Sequence, residues 1–103
     1  MKLKPFTDTD GHVAGFSFYC PGCEHGHVFY TAGKLVWAFD NNRESPSFQP
    51  SLLNTCEHHP DPKQRRCHLF LTAGRLLFLS DCTHDLAGQT VDLPDHWPDV
   101  GPQ

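Results

Sequence analysis

The segment Cys20-Pro21-Gly22-Cys23 carries the sharpest chemical signal in the chain. Two thiolates separated by two residues can grip one Zn²⁺ from a tight knuckle. Pro21 fixes one backbone angle and Gly22 permits an unusual one, which suits such a turn. A redox pair would need to sit at a helix start, where a thiolate is stabilised. Here the knuckle follows an apolar, strand-like run and precedes Glu24-His25-Gly26-His27, so zinc is the better reading.

One knuckle supplies two ligands, and the chain has no second C-x-x-C. The rest must come from Cys67-His68 and from Ser80-Asp81-Cys82-Thr83-His84. The preferred metal set is Cys20, Cys23, His68 and His84, with Cys67 and His27 as substitutes. Neighbours on a strand point to opposite faces, so one of Cys67 and His68 faces the site and the other does not. Cys56 reads as a lone loop thiol, and His58 and His59 have no spacing partner.

Four protein ligands would close the coordination shell and favour a structural metal; three plus water would favour catalysis. In the second case zinc acidifies its water, and Glu44 or Asp81 is the catalytic carboxylate that takes the proton. Asp81 could instead orient an imidazole from outside the shell. The bland reading of Glu44 is a solvated loop residue. H-E-x-x-H, the P-loop, the dinucleotide fingerprint and the G-x-S-x-G elbow are all absent.

The elements that would position these groups are strands. "HVFYTAGKLVWAFD" from His27 is echoed by "HLFLTAGRLLFLSD" from His68. Each copy reads as a hairpin around Thr-Ala-Gly: His27 to Tyr30 with Leu35 to Asp40, and His68 to Leu71 with Leu76 to Asp81. If Ala73-Gly74 is a two-residue turn, His68 pairs with Leu79 and Asp81 lies one diagonal step away on the same face. His12 to Cys20 reads as a strand with Phe16 and Phe18 on one face. The connection from Asn41 to Gln64 contains Pro46, Pro50, Pro60 and Pro62, which forbid a long helix. Within it, "SLLNT" is a short strand or one helical turn. "HDLAG" reads as a turn or brief helix closed by Gly88, and "QTVDL" as a last short strand. The expectation is a mostly β, single-domain antiparallel sheet of five to seven short strands over 1–103, zinc-stabilised, with 1–11 and 95–103 loosely ordered.

Composition agrees. The chain has 103 residues, 38% of them apolar, which allows one modest core of the kind that metals often brace. A net charge of −4 gives no general attraction to nucleic acid. The first residues hold no apolar stretch of signal-peptide length, and no segment is long enough to span a membrane. A cytoplasmic protein follows, where five cysteines argue against a disulfide framework and leave metal binding open.

Together "FYCPGCEHGHVF", "ESPSFQPSLL" and "CHLFLTAGRLLFLSDCTHDLAGQTVDLP" resemble a family of small phage and bacterial proteins often labelled ammonia monooxygenase. The chain lacks the membrane segments that label would require. The family is similar to zinc peptidases of bacterial ubiquitin-like operons. The resemblance spans Phe16 to Pro94 and marks Cys20, Cys23, His27, Glu44, Pro46, Phe48, Pro50, Ser51, Cys67, His68, Asp81, His84 and Gly88. It implies a zinc-dependent hydrolase acting on a peptide or isopeptide bond of a ubiquitin-like or host protein, in the host cytoplasm if phage-encoded. The competing class is a non-catalytic, zinc-stabilised phage protein that binds a protein partner. An open metal position beside Glu44 would favour catalysis; a closed shell with Glu44 remote would remove the hydrolase reading.

Overall fold

A computed structural model describes residues 2–97. Among them the fold is mostly β, as expected, but built as two antiparallel sheets rather than one. The first holds β1 (Lys4–Thr7), β2 (Val13–Cys20) and β3 (His25–Tyr30), in that order. The second holds β4 (Ala38–Phe39), β5 (Phe48–Thr55), β6 (Arg66–Thr72), β7 (Arg75–Phe78) and β8 (Thr90–Asp92), again in chain order. A single 3-10 turn, Pro62–Gln64, interrupts the long connection. The segment expected to be loose at the start supplies β1, paired with β2. Of the tail expected to be loose, residues 98–103 lie outside the described residues.

Alternation explains the core. Phe16 and Phe18 of β2 point inward with Phe29 of β3, against Phe48, Leu52, Leu69, Leu71, Leu76 and Phe78 of the second sheet. Phe48 joins the layers. Its ring stacks on Phe29 at 4.3 Å and on Phe39 at 4.5 Å. Each such pair contributes about 0.5–1.5 kcal/mol beyond its buried area.

The two copies of the repeated phrase fold differently. The second is the expected hairpin: Thr72 pairs with Arg75, and Leu69 with Phe78. Ala73 and Gly74 have φ of 50° and 76°, the left-handed pair that a tight hairpin turn requires. Ser47 Oγ accepts the Ala73 N–H at 2.7 Å, and the Pro46 carbonyl accepts the Gly74 N–H at 2.9 Å. The first copy is not a hairpin. After β3 the chain leaves its sheet, and Ala38–Phe39 pairs with Gln49 and Phe48 of β5. The Phe39 ring, stacked on Phe48 and tilted on Phe16 at 4.9 Å, is the tertiary contact that overrides the local turn signal.

Candidate active site and metal centre

The knuckle closes as the sequence predicts. The Cys20 carbonyl accepts the Glu24 N–H at 2.7 Å, and the Cys23 N–H points at Cys20 Sγ at 3.4 Å. Gln64 braces it from the 3-10 turn, donating to the Cys23 carbonyl at 2.7 Å. Cys20, Cys23, Cys67 and His84 form a buried group whose ligand atoms lie within 4.8 Å of one another. The fit is tight enough that a Cβ on Gly22 would lie within 2.6 Å of three atoms of the His84 ring.

The donor set suits a metal ion. Cys20 Sγ and Cys67 Sγ are 3.9 Å apart; two sulfurs on one tetrahedral zinc, each at about 2.3 Å, stand roughly 3.8 Å apart. His84 Nε2 is buried without a hydrogen-bond partner, while Nδ1 lies 3.2 Å from the Leu86 N–H. A metal on Nε2 would place the ring proton on Nδ1 and replace that contact. Burial holds the His84 pKa below its usual value, which favours the neutral ligand form. The three thiols compete for one charge. Hydrogen bonds from Cys23 and then Cys67 hold Cys20 low, and the bond to Cys20 pushes Cys23 up to about 12. Cys67 is likewise raised, first by its contact with Cys20. A bound cation relieves that competition.

His68 is not in this group. Cys67 faces inward from β6 and takes the place first given to His68, because the strand's alternation turns His68 to the outer face. His27 is also outside it. Its Nδ1 lies 3.4 Å from Asn54 Nδ2, and its Nε2 is buried without a hydrogen-bond partner. Glu44 is remote from the group. It is exposed beside Lys2, Leu3, Arg43, Asp95 and His96, and its backbone carbonyl accepts from Lys2 Nζ. Asp8, Asp10 and His12 also lie together on the surface, with the Asp8 carboxylate accepting the Asp10 and His12 N–H groups.

On the outer face His68 meets two other groups. Its Nε2 lies 3.2 Å from Ser51 Oγ, and its Nδ1 lies 3.2 and 3.3 Å from the two Asp81 carboxylate oxygens. The diagonal step expected from the two-residue turn is therefore present, with Leu79 N–H donating to the His68 carbonyl at 2.9 Å. Burial alone would raise the Asp81 pKa, but hydrogen bonds from His68 and Arg66 outweigh it and hold the carboxyl below its usual value. Arg66 Nη1 lies 3.3 Å from Asp81 Oδ2.

Ser51 reaches this line through an irregularity. Phe48 pairs with Leu71 but Leu52 pairs with Leu69, so the register slips between them. Such a bulge re-aims a side chain, and bulges are over-represented beside active sites. Trp37 Nε1 donates to the Ser51 carbonyl at 3.1 Å and pins the bulge. The 81–84 segment is tied to β6 as well. Thr83 N–H donates to the Arg66 carbonyl at 3.0 Å, and Thr83 Oγ1 accepts the Arg66 N–H at 2.9 Å. Cys82 Sγ accepts the His68 N–H and donates to the His68 carbonyl, both at 3.2 Å.

A hydroxyl, an imidazole and a carboxylate in that order form the constellation of a serine hydrolase, here on a small antiparallel β domain with a separate metal-capable Cys₃His group. Residues 3–79 match the family model described as bacterial ubiquitination-like system serine protease (BubE), and the chain belongs to that family. The matched span includes Ser51 and His68 and stops before Asp81 and His84. No curated protein and no solved structure matches the chain. The link to ubiquitin-like operons thus stands at family level, while the family is described as a serine protease and not a zinc peptidase. Ser51 carried no chemical role in the sequence reading, because no elbow motif surrounds it and only the bulge turns it toward His68.

Proposed function

We propose that the chain is a serine peptidase of a ubiquitin-like conjugation system, with Ser51 as nucleophile, His68 as general base and Asp81 as the group that orients His68. The observation that carries this is the unbroken line Ser51 Oγ, His68 Nε2, His68 Nδ1, Asp81. Both distances are at the long end of the catalytic range, which is common before substrate binds.

The asymmetry of the imidazole sets the roles. Nδ1–H donates to Asp81, which leaves the Nε2 lone pair to accept the Ser51 proton. As Ser51 Oγ bonds to the scissile carbonyl carbon, its proton passes to Nε2. His68 then gives that proton to the leaving amine as the C–N bond breaks. Water, deprotonated by the same nitrogen, then attacks the acyl-serine carbonyl; the bond from that carbon to Ser51 Oγ breaks, the proton on Nε2 returns to Ser51 Oγ, and the acid product leaves. The negative Asp81 stabilises the transient imidazolium.

Zinc fits the other site as a structural ion. Cys20, Cys23, Cys67 and His84 are four protein ligands, a closed shell with no position for substrate or water. When bound, zinc supplies a crosslink between the knuckle, β6 and the 81–84 segment. The unpaired thiols of the described residues suit a reducing cytoplasm.

The test uses a ubiquitin-like modifier joined by a peptide bond to a reporter. The wild type should cleave it, and a fluorophosphonate should label Ser51. Replacing zinc by cadmium should leave cleavage nearly unchanged. Cleavage by Ser51→Ala at the wild-type rate would remove the triad from the mechanism.

A further inference from the structure

The second sheet has an open edge beside the nucleophile. β4 pairs only with Phe48 and Gln49, so among the described residues no strand flanks Ser51 to Thr55 on that side. The pattern of bonds shows which groups face it. Cys56 N–H donates to the Arg65 carbonyl, so by alternation Asn54 and Leu52 bond toward β6 while Leu53 and Thr55 point away. The Ser51 carbonyl faces the same way and accepts from Trp37. His68 agrees from the other side of β6: its N–H and carbonyl are engaged by Cys82 and Leu79, not by β5.

A groove of about 290 Å³ runs along this edge, with Val28 and Tyr30 of β3 on one wall, Leu52 and Asn54 on the other and Trp37 between them. β3 is itself the outer strand of its sheet. Beside the groove, the loop leading to Trp37 leaves Leu35 76% and Val36 52% exposed. On the triad face Leu53, directly opposite His68, and Phe70 are also exposed apolar residues.

We infer that the peptide segment carrying the scissile bond binds as an added strand on the open edge of β5. This deepens the serine-peptidase reading and rests on it. The N–H and C=O groups of Leu53 and Thr55 pair with the substrate main chain, as in other strand-addition interfaces. The strand runs antiparallel to β5. The residues on the acyl side therefore pass Thr55 and then Leu53, and the chain delivers its scissile carbonyl at Ser51. Alternate side chains of the strand fall toward the groove and toward Leu53 and Phe70. The occupant is an extended, unstructured peptide tail, whose backbone is free to pair along the edge while its scissile bond reaches Ser51.

The test uses the zinc-loaded full chain carrying Ser51→Ala. The probe is a fluorescein-labelled peptide of the last ten residues of the modifier, alongside the same peptide N-methylated at alternate amides. Anisotropy should show the methylated peptide binding about tenfold more weakly, the scale of one lost hydrogen bond or a little more. Leu53→Pro removes one outward N–H and no bond to β6, a placement that edge strands tolerate. It should weaken the unmethylated peptide by a similar factor, whereas Leu53→Ala keeps the N–H and should bind within about threefold of the parent. Equal binding of both peptides overturns the inference, even if Leu53→Pro fails to fold. So does a loss confined to Leu53→Ala, which would place recognition in the side chain. A dimer of the wild type that Leu53→Pro splits, without change in peptide affinity, would assign the edge to a second copy instead. Fluorophosphonate labelling of Ser51 in the wild type is read separately. Failure there removes the peptidase reading while leaving backbone-dependent peptide binding intact.

Discussion

Cys67 and His68 are consecutive residues of one strand, and they serve opposite faces. The Cys67 face is closed: four side chains converge within 4.8 Å, all buried. The His68 face is open, with Asp81 about 41% exposed and Ser51 at the register slip of β5. Metal-capable residues with no outlet are suited to holding a fold. Polar residues in line with an open edge are suited to chemistry. The segment 81–84 repeats the division, giving Asp81 to one face and His84 to the other.

The strongest way to break the comparison is to remove the metal. Cys67→Ser, or chelation in mild denaturant, should abolish the cooperative thermal transition, since structural zinc contributes on the order of 10 kcal/mol in small domains. Atomic absorption should give one zinc per wild-type chain and none in the variant. A stable, active Cys67→Ser protein would end the claim that this face holds the fold. Next is Ser51→Ala, expected to lower kcat by about 10⁴-fold or more with an unchanged Tm and full zinc. A third, smaller effect is expected for Asp81→Asn, about 10³- to 10⁴-fold in kcat, because the amide no longer holds the imidazole in the right tautomer. Steady-state kinetics with a melting curve separates that loss from unfolding.

The smallest expected effect sharpens the boundary between the two faces. Cys82 is a buried thiol next to the cluster, yet it bonds the His68 main chain and is not part of the metal-capable group. Cys82→Ala should keep zinc and lose about 1–3 kcal/mol from the unsatisfied His68 N–H, read by urea unfolding. Cys82→Ser, which restores a donor and an acceptor, should recover part of it. Loss of zinc from Cys82→Ser would move Cys82 into the ligand set.

What could be read from the sequence follows the range of the forces involved. The knuckle is local, so two of the four clustered residues were visible in four letters. The pairing of His68 with Asp81 was visible because a two-residue turn fixes register. The choice between Cys67 and His68 was not, because alternation says that the two diverge without saying which way the core lies. The first copy of the repeat misled: Thr-Ala-Gly reads as a turn in both places, but the stack of Phe39 on Phe48 carries one copy into the other sheet. Ser51 was the least legible. Its aim depends on a register slip against β6, and no short motif records that.

The adjacency of Cys67 and His68 also governs how this chain can change length. One residue inserted between His68 and the Ala73–Gly74 turn would shift the phase of the strand, turning Cys67 and His68 each to the opposite face. The Cys67 face and the His68 face would be lost together, whatever residue was inserted. The connection ahead of β6 carries no such phase beyond the turn that holds Gln64 against the knuckle. Natural gains and losses of residues should therefore collect between Glu57 and Asp61, and the stretch from His68 to Thr72 should keep its length.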